Sequence, residues 1–248
     1  VAMVFLALAA EMTLRGLLSP LRTEVLSAFA VQFDQGQDLS WLLAASLGIG
    51  KRSVQPWIAA GIALGLLAFV LKDRDFRADH ERLIAGVVIG LTIVGGWYVT
   101  GHLGFIAEDP QTLQEAYLGT RTARPESFTF IGPAANTLEL LQFWTDKSAR
   151  LPFGVAVVLG TLVGSFAYAM IKRRFHWESF ASVSDTRNHV IGGVLMGFGG
   201  VTAMGCTIGQ GITGVSTLAL GSILVFFSII AGAALTMKIQ LRRLLKTG

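Results

Sequence analysis

The chain has 248 residues, 52% of them hydrophobic and 15% charged, with a net charge of +4 and a mean hydropathy of +0.60. Soluble domains carry roughly 25% charged residues, so a water-soluble globule is excluded, and so is disorder, which needs low hydrophobicity and high charge. A single cysteine, Cys206, rules out a disulfide scaffold.

The apolar residues fall into runs long enough to span a bilayer. No Asp, Glu, Lys or Arg occurs over Ser53–Leu71, Leu83–Ala107, Leu151–Ile171 or Asn188–Met237. At about 1.5 Å per residue, roughly 20 residues cross a hydrocarbon core of about 30 Å. The last run is 50 residues long, enough for two crossings. The expected fold is an all-α integral membrane protein, a polytopic helix bundle with short half-helices and one glycine-rich broken element.

In chain order, residues 1–13 give a partial crossing. The run Val1–Ala10 is about half a span and meets Glu11 at once. It has no basic n-region, no cleavage site and no initiator Met, so the chain reads as cut inside a transmembrane helix. Arg15–Gln37 is mixed and reads as an interfacial segment. Residues 39–50 form a short or partial element stopped by Lys51 and Arg52. Residues 55–71 cross, with Pro56 tolerated near the helix start. A charged loop, Lys72–Arg82, precedes a crossing over 83–100, anchored by Trp97 and Tyr98.

Gly101–Ser127 is a polar, acid-rich loop. Gly132-Pro133 interrupts the apolar stretch behind it, and the residue before a proline avoids helical geometry. A short element over 133–144 follows, then a crossing over 152–171. Two more crossings are expected, 189–204 and 215–237, separated by a break at 205–212. The whole chain makes a single transmembrane domain.

The basic loops around Lys72–Arg82 and Lys172–Arg187, and the tail Lys238–Lys246, read as cytoplasmic. The 101–127 loop is then outside. This orientation accounts for the net positive charge without a nucleic-acid partner. Five GxxxG pairs recur: Gly61/Gly65, Gly86/Gly90, Gly160/Gly164, Gly193/Gly197 and Gly205/Gly209. Small residues four apart let helix backbones approach closely in lipid, so packing is the expected role of most of them.

Nine glycines fall within the 24 residues Ile191–Gly214. Glycine costs about 1 kcal/mol against alanine in a helix interior, so an unbroken lipid-facing helix gains nothing from them. The pattern predicts a helix to about Met204, a non-helical turn around Cys206 and a second half-helix from about Thr213. Irregular backbone at this depth is tolerated only beside protein or a water-filled cavity. Half-helix N-termini carry free N–H groups and partial positive charge, which suit an anion.

The candidate substrate path is Gly205, Cys206, Thr207, Gly209, Gln210, Gly211 and Thr213. Two readings of Cys206 stay open. Its polarizable thiol suits a sulfur-bearing ligand, or it is a small apolar residue filling a tight turn. Thr207, Gln210 and Thr213 either line the path or satisfy loosened backbone groups. Met196 and Met204 read as packing residues, and His189 as an interface histidine. Metal-ligand spacing, a P-loop, a catalytic triad and an intramembrane carboxylate pair are all missing from the sequence, so neither a metal, a cofactor nor enzymatic activity is expected.

The stretch Met204-Gly-Cys-Thr-Ile-Gly-Gln-Gly-Ile-Thr-Gly214, followed by an apolar helix, resembles the signature of the YeeE/YedE (TsuA-type) sulfur transport family. Phe128-Thr-Phe-Ile-Gly-Pro133 and Gly95-Gly-Trp-Tyr-Val-Thr-Gly101 agree with it. The resemblance implies a bacterial inner-membrane permease with an internal repeat. Each half would present a cysteine-bearing glycine-rich loop to a central constriction that passes thiosulfate or a related small sulfur anion. Cys206 would be the cysteine of the C-terminal half; the N-terminal half-motif is missing from this sequence. Lipid and thiosulfate are the expected partners, with a cytoplasmic sulfur-carrier protein as a candidate. The alternatives are a membrane sulfur-relay protein using Cys206 as a persulfide carrier, or a non-transporting membrane subunit.

Overall fold

Apolar runs that cannot be solvated fold as helices, since a helix satisfies its own backbone in lipid. A computed structural model describes residues 1–29, 38–47, 51–109, 113–146, 151–176 and 178–247. Its helices are α1 (Ala2–Leu14), α2 (Leu39–Leu47), α3 (Lys51–Lys72), α4 (Arg74–Ala78), α5 (His80–Tyr98), α6 (Ile131–Gln142), α7 (Phe153–Ile171), α8 (Val183–Thr202) and α9 (Leu220–Thr247). Among the described residues four stretches are long and apolar enough to cross a membrane: Gln55–Lys72, His80–Leu103, Phe153–Ile171 and Leu220–Arg242. The protein is an all-α polytopic membrane protein. Only the second half of α8 is apolar, and α8 is not among the four.

The chain divides into two compact units. The first comprises Val1–Val31 and Ile93–Gly209. Its core is α1 against α6 and α8. Leu6, Ala7, Ala10, Ile131, Ala134, Ala135 and Val201 are buried together, with Cys206 packed on them. Gly193 and Gly197 make this packing possible. A β-carbon on Gly197 would stand 2.3 Å from the Leu6 carbonyl oxygen, and one on Gly193 would stand 2.6 Å from that of Ala2. Both obstacles are backbone and cannot turn aside. The last carbonyls of α1 are met by Arg22, whose Nε donates to Thr13 O at 3.2 Å, as helix C-termini require.

Helix α6 begins at Ile131, two residues earlier than the expected 133, so Pro133 lies in its first turn. A missing N–H is harmless there, because the first four N–H groups of a helix have no intrahelical partner. Pro133 packs onto Gly154 of α7, where a β-carbon would approach its Cγ to 2.5 Å. Before α6, the 101–127 loop contains a small antiparallel hairpin, β1 (Phe105–Ile106) and β2 (Ala116–Tyr117). The expected interfacial segment after Arg15 contains a π-helical turn over Leu21–Leu26 and a 3-10 turn over Ser27–Phe29. The rest of it, 30–37, lies outside the described residues, as do 48–50 of the element expected over 39–50.

The second unit comprises Gln32–Thr92 and Gln210–Gly248. Helix α2 packs on α3, and the Leu39 N–H donates to Leu218 O at 2.9 Å ahead of α9. Helix α3 starts at Lys51, four residues before the expected 55, and runs through Pro56. Among the described residues, none of α3 and only Ser222 of α9 is buried, which suits side chains solvated by lipid.

Three of the five GxxxG pairs meet no neighbour among the described residues. Gly61, Gly65, Gly86, Gly90, Gly160 and Gly164 have nothing within 4 Å of an added β-carbon among the described residues. The spacing licenses close approach on one face; it does not supply a neighbour. Among the described residues the glycines that are tightly packed are others, such as Gly193 and Gly197 of α8 against α1 and Gly154 of α7 against Pro133.

Candidate functional site

Helix α8 ends in a Schellman motif that builds the break. The Met204 N–H donates to Val201 O at 3.1 Å, and the Gly205 N–H donates to Gly200 O at 2.8 Å. Met204 occupies the left-handed position, with φ +58. Glycine usually fills that position because a β-carbon there costs roughly 1–2 kcal/mol. Met204 is 88% exposed and Met196 58% exposed, so neither is packed within the described residues.

Gly205 is buried and Cys206 half-buried. The Gly209 N–H donates to Cys206 Sγ at 3.4 Å. Helical geometry therefore resumes at Thr207, not near Thr213. Thr207 and Ile208 are α-helical, Gly209–Gly214 form a π-helical turn, and Val215–Ser216 complete the segment. The break covers residues 203–206 rather than 205–212. The sulfur satisfies an N–H that has no partner at a helix start, and this lets the chain rewind at once.

The glycines of the signature serve close approach rather than loop geometry. In the first unit, a β-carbon on Gly209 would stand 2.5 Å from Thr129 Oγ and 3.1 Å from Thr129 Cβ. In the second unit, Phe226 packs on Gly211, and Ser222 and Gln210 pack on Gly214. Thr213 is buried and Thr207 exposed. Of the expected path residues, Gly205, Cys206, Thr207 and Gly209 form one turn of the first unit. Gln210, Gly211 and Thr213 belong to the second.

Two features escaped the sequence reading. Thr129 is one; its signal lay in the Phe128–Pro133 motif. The other is a charge cluster toward the C-terminal end of α6. Glu139 Oε2 pairs with Arg15 Nη1 and with Arg121 Nη2, each at 2.5 Å, and Arg15 also reaches Glu11 at 3.6 Å. The i,i+4 spacing of Glu11 and Arg15 hinted at part of it. A cavity of about 580 Å³ adjoins this cluster, lined by Tyr117, Thr120, Arg121, Asn136, Glu139 and Phe143 among others.

The opposite end of α6 lies at the Cys206 turn. Ile131 packs against Gly200 there, where a β-carbon would meet its Cδ1. The site thus offers a half-buried thiol whose sulfur already accepts an N–H. The thiol proton is left to donate, and the surroundings are mostly apolar.

Comparison with known proteins gives one family and two relatives. The sulphur transport family model matches residues 1–235. Thiosulfate transporter TsuA of Spirochaeta thermophila is 51% identical over 182 residues, covering 72% of this chain and 48% of that protein. Thiosulfate transporter TsuA of Escherichia coli (strain K12) is 38% identical over 137 residues, covering 55% of this chain and 33% of that protein. The chain therefore spans less than half the length of these curated relatives.

Proposed function

The chain belongs to the sulphur transport family, and on that premise we propose that it moves thiosulfate or a related small sulfur anion across the bacterial inner membrane through a constriction at Cys206. The observation that carries the reading is the Cys206 turn. A thiol stands at the break between two helical segments, held by the Gly209 N–H at 3.4 Å, in a chain similar to two thiosulfate transporters. A thiol is a weak donor, and a terminal sulfur is a weak, polarizable acceptor. Their contact is strong enough to admit the ion and weak enough to release it, as conduction demands. Gly205, Thr207, Gly209, Gln210, Gly211 and Thr213 line the path on this reading.

The basic loops set the orientation. Arg74 and Arg77 lie in α4 with Lys72 and Arg82 on either side, and Lys172, Arg173 and Arg174 lie in the α7–α8 connection with Arg187 in the first turns of α8. By the positive-inside rule both face the cytoplasm, with the C-terminus on the same side, which requires α8 and the segment to Ser216 together to supply a second crossing beside α9. A cytoplasmic sulfur-carrier protein would take the ion there. The test is protection. Thiosulfate added to the full-length protein in membranes slows alkylation of Cys206 by a small water-soluble thiol reagent, whereas sulfate at equal concentration does not. Equal labelling with and without thiosulfate contradicts the reading.

A further inference from the structure

Thr129 sits on a segment fixed from both sides. Upstream, Thr100 Oγ accepts the Glu126 N–H at 3.0 Å, and Ser127 Oγ donates to Ile93 O at 2.8 Å. The Phe128 ring meets Phe153 edge-on, with centroids 6.2 Å apart. Downstream, Ile131 packs on Gly200 and Pro133 on Gly154. The segment so held carries the Thr129 side chain onto Gly209, the residue whose N–H holds the Cys206 sulfur.

The Thr129 hydroxyl is uncommitted. Thr100, Thr120 and Thr137 donate theirs to the carbonyls of Gly96, Tyr117 and Pro133, at 2.9, 2.8 and 2.8 Å. Among the described residues the half-buried Thr129 hydroxyl makes no hydrogen bond. Shape alone would be served as well by valine at this position. A fixed, half-buried donor beside the cysteine turn is suited to a ligand, because no reorganisation precedes the bond.

We infer that Thr129 is a substrate-contacting, specificity-determining residue of the Cys206 constriction. Its hydroxyl donates to an oxygen of the passing anion while the Cys206 thiol meets the terminal sulfur. The two donors divide the two ends of thiosulfate between them. This inference rests on the thiosulfate reading above.

The test compares wild type, Thr129→Val and Thr129→Ser in the full-length protein, scored by uptake of radiolabelled thiosulfate per amount of protein in the membrane. Valine keeps the shape and removes the donor; serine keeps the donor. A hydrogen bond to a charged ligand sets the scale, so Thr129→Val should raise KM about tenfold. Vmax should move less, Thr129→Ser should stay close to wild type, and Cys206 alkylation without substrate should keep its wild-type rate in both. A wild-type KM in Thr129→Val overturns the inference. So does an equal loss in the two variants, or a changed alkylation rate in Thr129→Val, because each marks a packing role. If the wild type takes up no thiosulfate, the underlying reading fails and this inference with it. Normal wild-type uptake beside an unaltered Thr129→Val contradicts the inference alone.

Discussion

The backbone N–H of Gly209 donates to the sulfur of Cys206 at 3.4 Å, three residues back along the chain. Cysteine thereby acts as the cap of the helical segment that follows, and its thiol is fixed in direction. Gly209 has a second neighbour, Thr129, pressed against its α-carbon. Gly209→Ala tests both relations at once. The new methyl would stand 2.5 Å from Thr129 Oγ and 3.1 Å from its Cβ, so the turn or the Phe128–Pro133 segment has to shift. Overpacking of this kind costs roughly 1–3 kcal/mol. Thermal melting in detergent should fall accordingly, and thiosulfate uptake should fall with it. An unchanged melt and unchanged uptake in Gly209→Ala contradict this geometry.

Gly197 and Gly160 separate a packing glycine from a merely spaced one. Gly197→Ala pushes a methyl to 2.3 Å from a backbone carbonyl of α1. Its cost should reach the upper end of the 1–3 kcal/mol overpacking range, about 3 kcal/mol. Gly160→Ala meets nothing within 4 Å and should be neutral or stabilising by up to about 1 kcal/mol through helix propensity. Melting temperatures of the two variants, measured side by side, should move in opposite directions or differ widely.

Met204 holds a left-handed backbone at φ +58. Met204→Gly relieves the steric cost and should stabilise the break by about 1 kcal/mol. The side chain is 88% exposed, so little packing is lost in exchange. A lower melting temperature in this variant would show that the methionine side chain has a role its exposure does not reveal.

Glu139 is shared by Arg15 and Arg121. Glu139→Gln removes the carboxylate from the Arg121 guanidinium and leaves Arg15 only its longer contact to Glu11, at 3.6 Å. The pairs are partly exposed, with the arginine side chains 45% and 39% accessible, so solvent screens them. A loss of about 1 kcal/mol is expected. The loss should shrink at high salt; a salt-independent loss would assign it to shape instead.

His176 lies in the connection between α7 and α8. Its hydrogen bond to Glu178, together with one to the Arg174 carbonyl, raises its pKa above the ordinary value of 6.5. The raised pKa means the charged form is favoured by the fold. That contribution is present below the ordinary histidine pKa and is lost as pH rises through the raised value. Titration followed by histidine ring NMR should give a pKa above 6.5 in the wild type. It should fall toward the ordinary value in Glu178→Gln, and an equal pKa in both would remove the Glu178 bond as its cause.

Much of the fold was legible because lipid imposes simple rules. The charge-free runs at Ser53–Leu71 and Leu151–Ile171 became α3 and α7 within two residues, and Leu83–Ala107 became α5 with the helical turn that follows it to Leu103. The Gly193/Gly197 pair became a helix contact because Ala2, Ala9 and Ala10 on α1 are small enough to meet it. Gly160/Gly164 has the same spacing without such a partner among the described residues, and nothing local distinguishes the two. The break was found from its glycines but placed too far along. Its end depends on the Cys206 sulfur capping Gly209, a tertiary detail that composition does not carry. Thr129 was hidden for a related reason. Its partner lies 80 residues away in the chain, and only the fold brings them together. The hairpin at Phe105–Tyr117 carries too short a pattern to separate from loop.

The most direct measurement is thiosulfate uptake by the full-length protein carrying Cys206→Ala or Cys206→Ser, in a sulfur-starved strain lacking its own uptake route. If Cys206 forms the constriction, both variants reach the membrane in normal amount and lose most uptake, serine included, because a hydroxyl cannot replace the polarizable sulfur. Wild-type uptake rates in both would contradict the role assigned to Cys206.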